Sequence, residues 1–201
     1  MNLTMRTFST DVMPDESECS RKIDIGEGGR VIIWDSLFTP DELAEIEEVL
    51  LETIKDHGVN DVTRMFGKTF TNNGRRVVEM ASDPNFEYRY AGKVVKSIEF
   101  PERIRDLVLP KMTRVFGLSS ADTLWGHLVY YPTPDCKLDW HDDGEEGINP
   151  HLIVSITFLE HPKIGARRFR VRLKSSFPQK KSKPIKNREL PLKKQKLDFG
   201  K

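Results

Sequence analysis

The sequence predicts an α+β domain in which short strands outnumber helices, and three observations lead there. Two segments carry helical periodicity with their own start signals, at Thr39 and at Pro101. Several short runs alternate apolar with polar residues, or are continuously apolar, between Gly, Pro, Asn and Asp punctuation. At 201 residues the chain is long enough for one domain with tails and a properly buried core.

The elements follow in order. Residues 1–21 are polar and aperiodic and are expected to be a disordered tail. Val31-Ile32-Ile33-Trp34 reads as a short strand. Thr39-Pro40-Asp41-Glu42 is a helix start, with Thr39 as N-cap, Pro40 at the first helical position and Glu42 closing a capping box. Leu43, Ile46, Leu50, Thr53 and Ile54 fall on one helical face, and Gly58 ends the helix. From Val62 to Val95 the pattern is strands and turns, with Asn72-Asn73-Gly74 as a turn signal. Phe86, Tyr88 and Tyr90 alternate with polar residues in a strand that ends by Gly92. Pro101 opens a second helix with Ile104, Leu107, Val108, Met112 and Val115 on one face, and Pro110 within it predicts a break. Strands are then expected at Leu124–Tyr131, Leu138–Asp143, Leu152–Phe158 (buried) and Phe169–Leu173. From Lys174 onward Ser, Pro and Lys dominate with weak periodicity. The predicted organisation is a tail over 1–21, a domain over 22–173 and a basic tail over 174–201, with no internal repeat.

Composition bounds the setting. No run approaches the ~20 apolar residues of a membrane-spanning helix, so no membrane association is expected. The N-terminal stretch has no apolar core of a secretory signal. Cys19 and Cys136 form neither a disulfide framework nor a CxxC motif, which points to a reduced intracellular compartment, nucleus or cytoplasm. Charge is unevenly spread: Lys163 to Lys201 holds 15 Lys and Arg against two acids, while the residues before it hold 17 against 29. Such asymmetry fits a basic arm for nucleic acid or another polyanion, and equally a solubilising tail.

The chemistry centres on His141 and Asp143. On a strand, residues two apart point to one face, so an imidazole and a carboxylate lie side by side there. Together they make two thirds of a 2-His-1-carboxylate facial triad for non-haem Fe(II). Alone, this pair is a weak signal, since a half-exposed strand can carry it by chance.

The ordered set of motifs is far more specific. Phe66-Gly67-Lys68 and Gly74-Arg75-Arg76 precede Tyr88-Arg89-Tyr90-Ala91-Gly92. The proline-led helix at Pro101 follows, then Tyr131, His141-x-Asp143, Asn149-Pro150-x-x-Ile153-x-Ser155, and Arg167-Arg168-Phe169-Arg170-Val171-Arg172. In this order the chain resembles the AlkB-like Fe(II)/2-oxoglutarate-dependent dioxygenases of nucleic-acid bases, over roughly residues 60–173.

The resemblance implies a double-stranded β-helix (jelly-roll) oxygenase core with flanking helices. It implies Fe(II) as cofactor, 2-oxoglutarate as co-substrate, and DNA or RNA with alkylated bases as partner, acted on by a monomer. In the reaction, 2-oxoglutarate is decarboxylated to succinate, the N-alkyl group of the base is hydroxylated, and an aldehyde leaves with the base repaired. Carried over residue by residue, His141 and Asp143 are the metal ligands and Tyr131 contacts 2-oxoglutarate. Where relatives place an Asn two residues before that tyrosine, this chain has Val129, a loss on the order of 1 kcal/mol of co-substrate binding. Glu145 stands where an acid faces the base, or is a solvated loop carboxylate. Tyr88 and Tyr90 match a lid that stacks on a flipped base, or form the aromatic face of a core strand. Met65 and Phe66 sit where members acting on duplexes carry an apolar wedge, or are ordinary packing. Arg75 and Arg76 contact phosphates, or are plain exposed strand arginines.

The resemblance also implies a distal His and a carboxylate-binding Arg well downstream of His141-x-Asp143. The only histidines after that motif are His151 and His161, and neither matches the distal position. On this reading the last strands of the jelly roll are missing and turnover is impaired. Two other function classes stay open: a catalytically inert nucleic-acid-binding module, whose affinity would fall steeply with salt, and an oxygenase acting on protein.

Overall fold

The computed structural model describes residues 1–7, 14–65, 68–83, 85–90, 93–117, 124–133, 136 and 153–158. Over these residues the protein is a mixed α+β structure with a mostly antiparallel sheet and few helices. The main sheet has six strands. Its ordered path runs β10 (Ile153–Thr157), β1 (Asn2–Thr7), β9 (Leu124–Tyr130), β5 (Lys68–Ala81) and β4 (Val59–Met65). The two-residue β8 (Ile98–Glu99) pairs with the end of β5 in parallel, Met80 against Ile98. Two hairpins stand apart as two-stranded sheets, β2 (Arg21–Gly26) with β3 (Gly29–Ile33), and β6 (Glu87–Tyr90) with β7 (Lys93–Lys96).

Helix α1 (Pro40–His57) forms as its start signals require. The Thr39 hydroxyl accepts from the Glu42 amide at 3.2 Å and the Glu42 carboxylate accepts from the Thr39 amide at 2.7 Å, a complete capping box. Ile46, Leu50, Thr53 and Ile54 make its buried face, and Gly58 closes it. The second helical segment is two pieces. Helix α2 (Glu102–Leu107) stops at Val108, and α3 (Leu109–Phe116) restarts with Pro110 in its first turn, where a missing amide hydrogen is harmless.

The helices cover one face of the main sheet. Leu3, Met5, Val78, Met80, Leu124, Leu128 and Ile156 from the strands and Ile46, Leu50, Ile54, Ile104, Val108 and Met112 from the helices form one core. Gly126, in the middle of β9, admits Phe100: a Cβ there would stand 2.8 Å from the ring.

The disordered tail expected over 1–21 is corrected by the structure at residues 2–7. Residues 2–7 are an interior strand, hydrogen-bonded to β9 on one side and β10 on the other, and Leu3 and Met5 are essentially inaccessible. The alternation Leu3-Thr4-Met5-Arg6 is a strand pattern too brief to stand out, and its burial comes from two neighbours far away in sequence. The expected buried strand at 152–158 is half-buried: Ile156 faces the core while Ile153 is exposed. Asn72-Asn73-Gly74 is not a hairpin turn but an expansion inside β5. There the register jumps from Asn60 opposite Arg76 to Val62 opposite Thr71, and Gly74 adopts a φ of 75° that favours glycine.

Candidate functional site

Strand alternation gives the main sheet a second face, opposite the helices, with a different chemistry. The register pairs Glu79 with His127, Val77 with Val129 and Ala81 with Trp125, and these residues alternate with the core-facing Val78, Met80, Gly126 and Leu128. Arg75 and Tyr131 extend this face by one position on each strand. It therefore reads, rung by rung, as cation and phenol, apolar pair, carboxylate and imidazole, then small residue and indole.

Arg75 is 5% exposed. Its Nη2 is ion-paired to the Asp61 carboxylate, which reaches across from the β4 side of the register jump. Its guanidinium carbon lies 5.8 Å from the centroid of the Tyr131 ring, a cation–π contact. Its Nε and Nη1 have no hydrogen-bond partner, and a buried donor left unmet costs about 1–3 kcal/mol. One rung beyond the valine pair, Glu79 Oε1 and His127 Nδ1 are 2.8 Å apart, and the Trp125 ring stacks beside the imidazole at 5.9 Å and 23°. This is a hydrogen bond between the carboxyl and the imidazole, its direction set by the tautomer of His127. The second oxygen of Glu79 is buried without a partner.

The residues expected from the sequence fall into three groups. Tyr131, one residue beyond β9, is brought together with Arg75, which links two separate motifs of the sequence in one contact. The open, phosphate-facing setting expected for Arg75 is absent, because the ion pair and the Tyr131 ring enclose it. Arg76 faces the other way and donates to the Gly58 carbonyl at 2.7 Å. Tyr88 and Tyr90 occupy alternate positions of β6, opposite Val95 and Lys93 of β7, and Met65 ends β4 opposite Lys68. Phe66, His141, Asp143 and Glu145 lie outside the described residues. Val129 is on the Tyr131 face and buried.

Three residues of this face were not anticipated: Asp61, Glu79 and His127. A signal for the last two existed. Each is a titratable residue inside an otherwise apolar strand segment, Val77-Val78-Glu79-Met80 and Trp125-Gly126-His127-Leu128, where an unpaired charge is too costly to bury. Among the described residues no group of three or more His, Cys, Asp or Glu is placed to hold a metal ion. Cys19 and Cys136 are free thiols, and no described helix is long and apolar enough to cross a membrane. A shallow hollow of ≈ 320 Å³ at the end of α1, bordered by Glu52, Asp56, Ile98 and Glu99, contains none of the expected site residues.

No family model, curated protein or solved structure matches the chain.

Proposed function

We propose that this protein is of the AlkB-like Fe(II)/2-oxoglutarate-dependent dioxygenase type, directed to oxidative demethylation of alkylated DNA or RNA bases on a jelly-roll core, with turnover impaired because neither His151 nor His161 matches the distal ligand position. The ordered motif set from Phe66 to Arg172 carries the reading. A helix-backed sheet with a polar, partly enclosed opposite face supports it, since a site for a charged co-substrate needs polar groups held in a largely dry setting. Tyr131 lies on that face, and the His141-x-Asp143 motif follows ten residues after it in the chain.

His141 and Asp143 would hold the iron. When bound, the iron supplies the dioxygen chemistry that hydroxylates the N-alkyl group. This chain's own share is to position 2-oxoglutarate through the Tyr131 hydroxyl, to keep water from it with Val77 and Val129, and to present the base through the region of Tyr88 and Tyr90.

Anaerobic titration of the purified chain with Fe(II) and 2-oxoglutarate tests this. The expected result is a saturable metal-to-ligand charge-transfer band that His141→Ala abolishes, together with succinate release that depends on methylated nucleic acid. A folded protein with no band and no succinate release overturns the oxygenase reading.

The charge asymmetry favours a second reading, an inert nucleic-acid-binding module with a basic arm. It requires nucleic-acid affinity that declines steeply with salt and survives His141→Ala.

A further inference from the structure

The two unmet donors of Arg75 call for an acceptor. The guanidinium lies deep in the sheet face, its Nη2 is held by Asp61, and the Tyr131 ring stands 5.8 Å from its central carbon. What remains is Nε–H and Nη1–H, both buried and both without a partner. Native structures leave few such groups, and one explanation for them is that they bind an ion. We infer that Arg75, steered by Asp61 and flanked by Tyr131, is a binding site for a small aliphatic carboxylate.

Three features select that class. A carboxylate already docks on this guanidinium, that of Asp61, so the geometry accepts one. The next rung of the face is Val77 opposite Val129, an apolar floor suited to a short methylene chain rather than to an inorganic anion. Finally, Arg75 is too deeply enclosed to serve a phosphate in a nucleic-acid backbone. Asp61 partly neutralises the guanidinium and competes with the incoming carboxylate, so it sets the affinity. The identification of the natural ligand as 2-oxoglutarate rests on the oxygenase reading; the carboxylate site does not.

The test uses the full chain without metal and glutarate as the probe, so that it stays independent of oxygenase activity. The arginine Nε–H resonances are followed by NMR. One of them is expected to shift saturably with glutarate, and Arg75→Lys to remove that resonance and weaken binding by about tenfold or more, the worth of a charge-assisted hydrogen bond. Asp61→Asn, which removes the competing carboxylate, is expected to tighten binding, and this arm still decides if Arg75→Lys fails to fold. Absence of a saturable shift, unchanged affinity in Arg75→Lys, weaker binding in a folded Asp61→Asn, or equal displacement by inorganic phosphate each overturns the inference. Glutarate binding at Arg75 without an iron charge-transfer band would keep the carboxylate site and remove the oxygenase.

Discussion

At the residue scale, the same side chain type does different work according to what surrounds it. Arg75 and Arg76 are adjacent in sequence, yet alternation sends one to Asp61 and Tyr131 and the other to the Gly58 carbonyl. Lys111 shows a third use of a cation. Its ammonium donates to the Leu37 carbonyl at 2.9 Å and to the Glu42 carboxylate at 2.6 Å, and lies 4.9 Å from the centre of the Phe38 ring. It thereby ties α3 to the entry of α1. The hydrogen bond from Lys111 is the main reason the Glu42 carboxyl is held below its usual 4.5, with the Thr39 amide second. A lowered carboxyl contributes stability that is present above the ordinary glutamate pKa and is lost as pH falls through the lowered value. Lys111→Met is therefore expected to raise the Glu42 pKa toward 4.5, read by carboxyl-carbon NMR, and to start acid unfolding at a higher pH. An unchanged Glu42 titration would show that the ion pair does not exist in solution.

At the element scale, the first helix is specified twice, by its cap and by its buried face. Both hydrogen bonds of the capping box are present, and Ile46, Leu50 and Ile54 pack into the core. Thr39→Ala removes the acceptor for the Glu42 amide and is expected to cost about 1 kcal/mol, measured as a lower urea midpoint at constant slope. A loss near zero would mean that packing alone fixes the start of α1. The break at Val108 was legible because proline is tolerated only in a first turn. The Asn72-Asn73-Gly74 expansion was not, because the same residue types serve a hairpin turn and a bulge equally well. Only the pairing with β4 decides between them.

At the scale of the whole molecule, β1 joins segments that are far apart in the chain. It pairs with β9 and β10 at once, and Phe158 donates to the Met1 carbonyl at 3.0 Å. Its burial implies a penalty that no tail residue would carry. Leu3→Ala is expected to cost roughly 2–5 kcal/mol, the range for emptying a core leucine position, as measured by equilibrium denaturation. A cost under ~0.5 kcal/mol, the level of ordinary surface changes, would return residues 2–7 to the status of a tail. The polar face is likewise a property of the assembled sheet. Glu79 and His127 are 48 positions apart in sequence, and they meet because β5 and β9 are adjacent in this register.

The sequence by itself determined what depends on neighbours along the chain. The capped start and apolar face of α1, the proline break at Val108 and the strand at Leu124–Tyr130 are of that kind, because propensity, capping and periodicity act over a few residues. Only the tertiary structure decided that residues 2–7 are core, that Asn72-Asn73-Gly74 is an expansion, and that Asp61, Arg75, Glu79, His127 and Tyr131 share one face. Those outcomes depend on strand order and register, which are set by which surfaces bury each other across the whole fold.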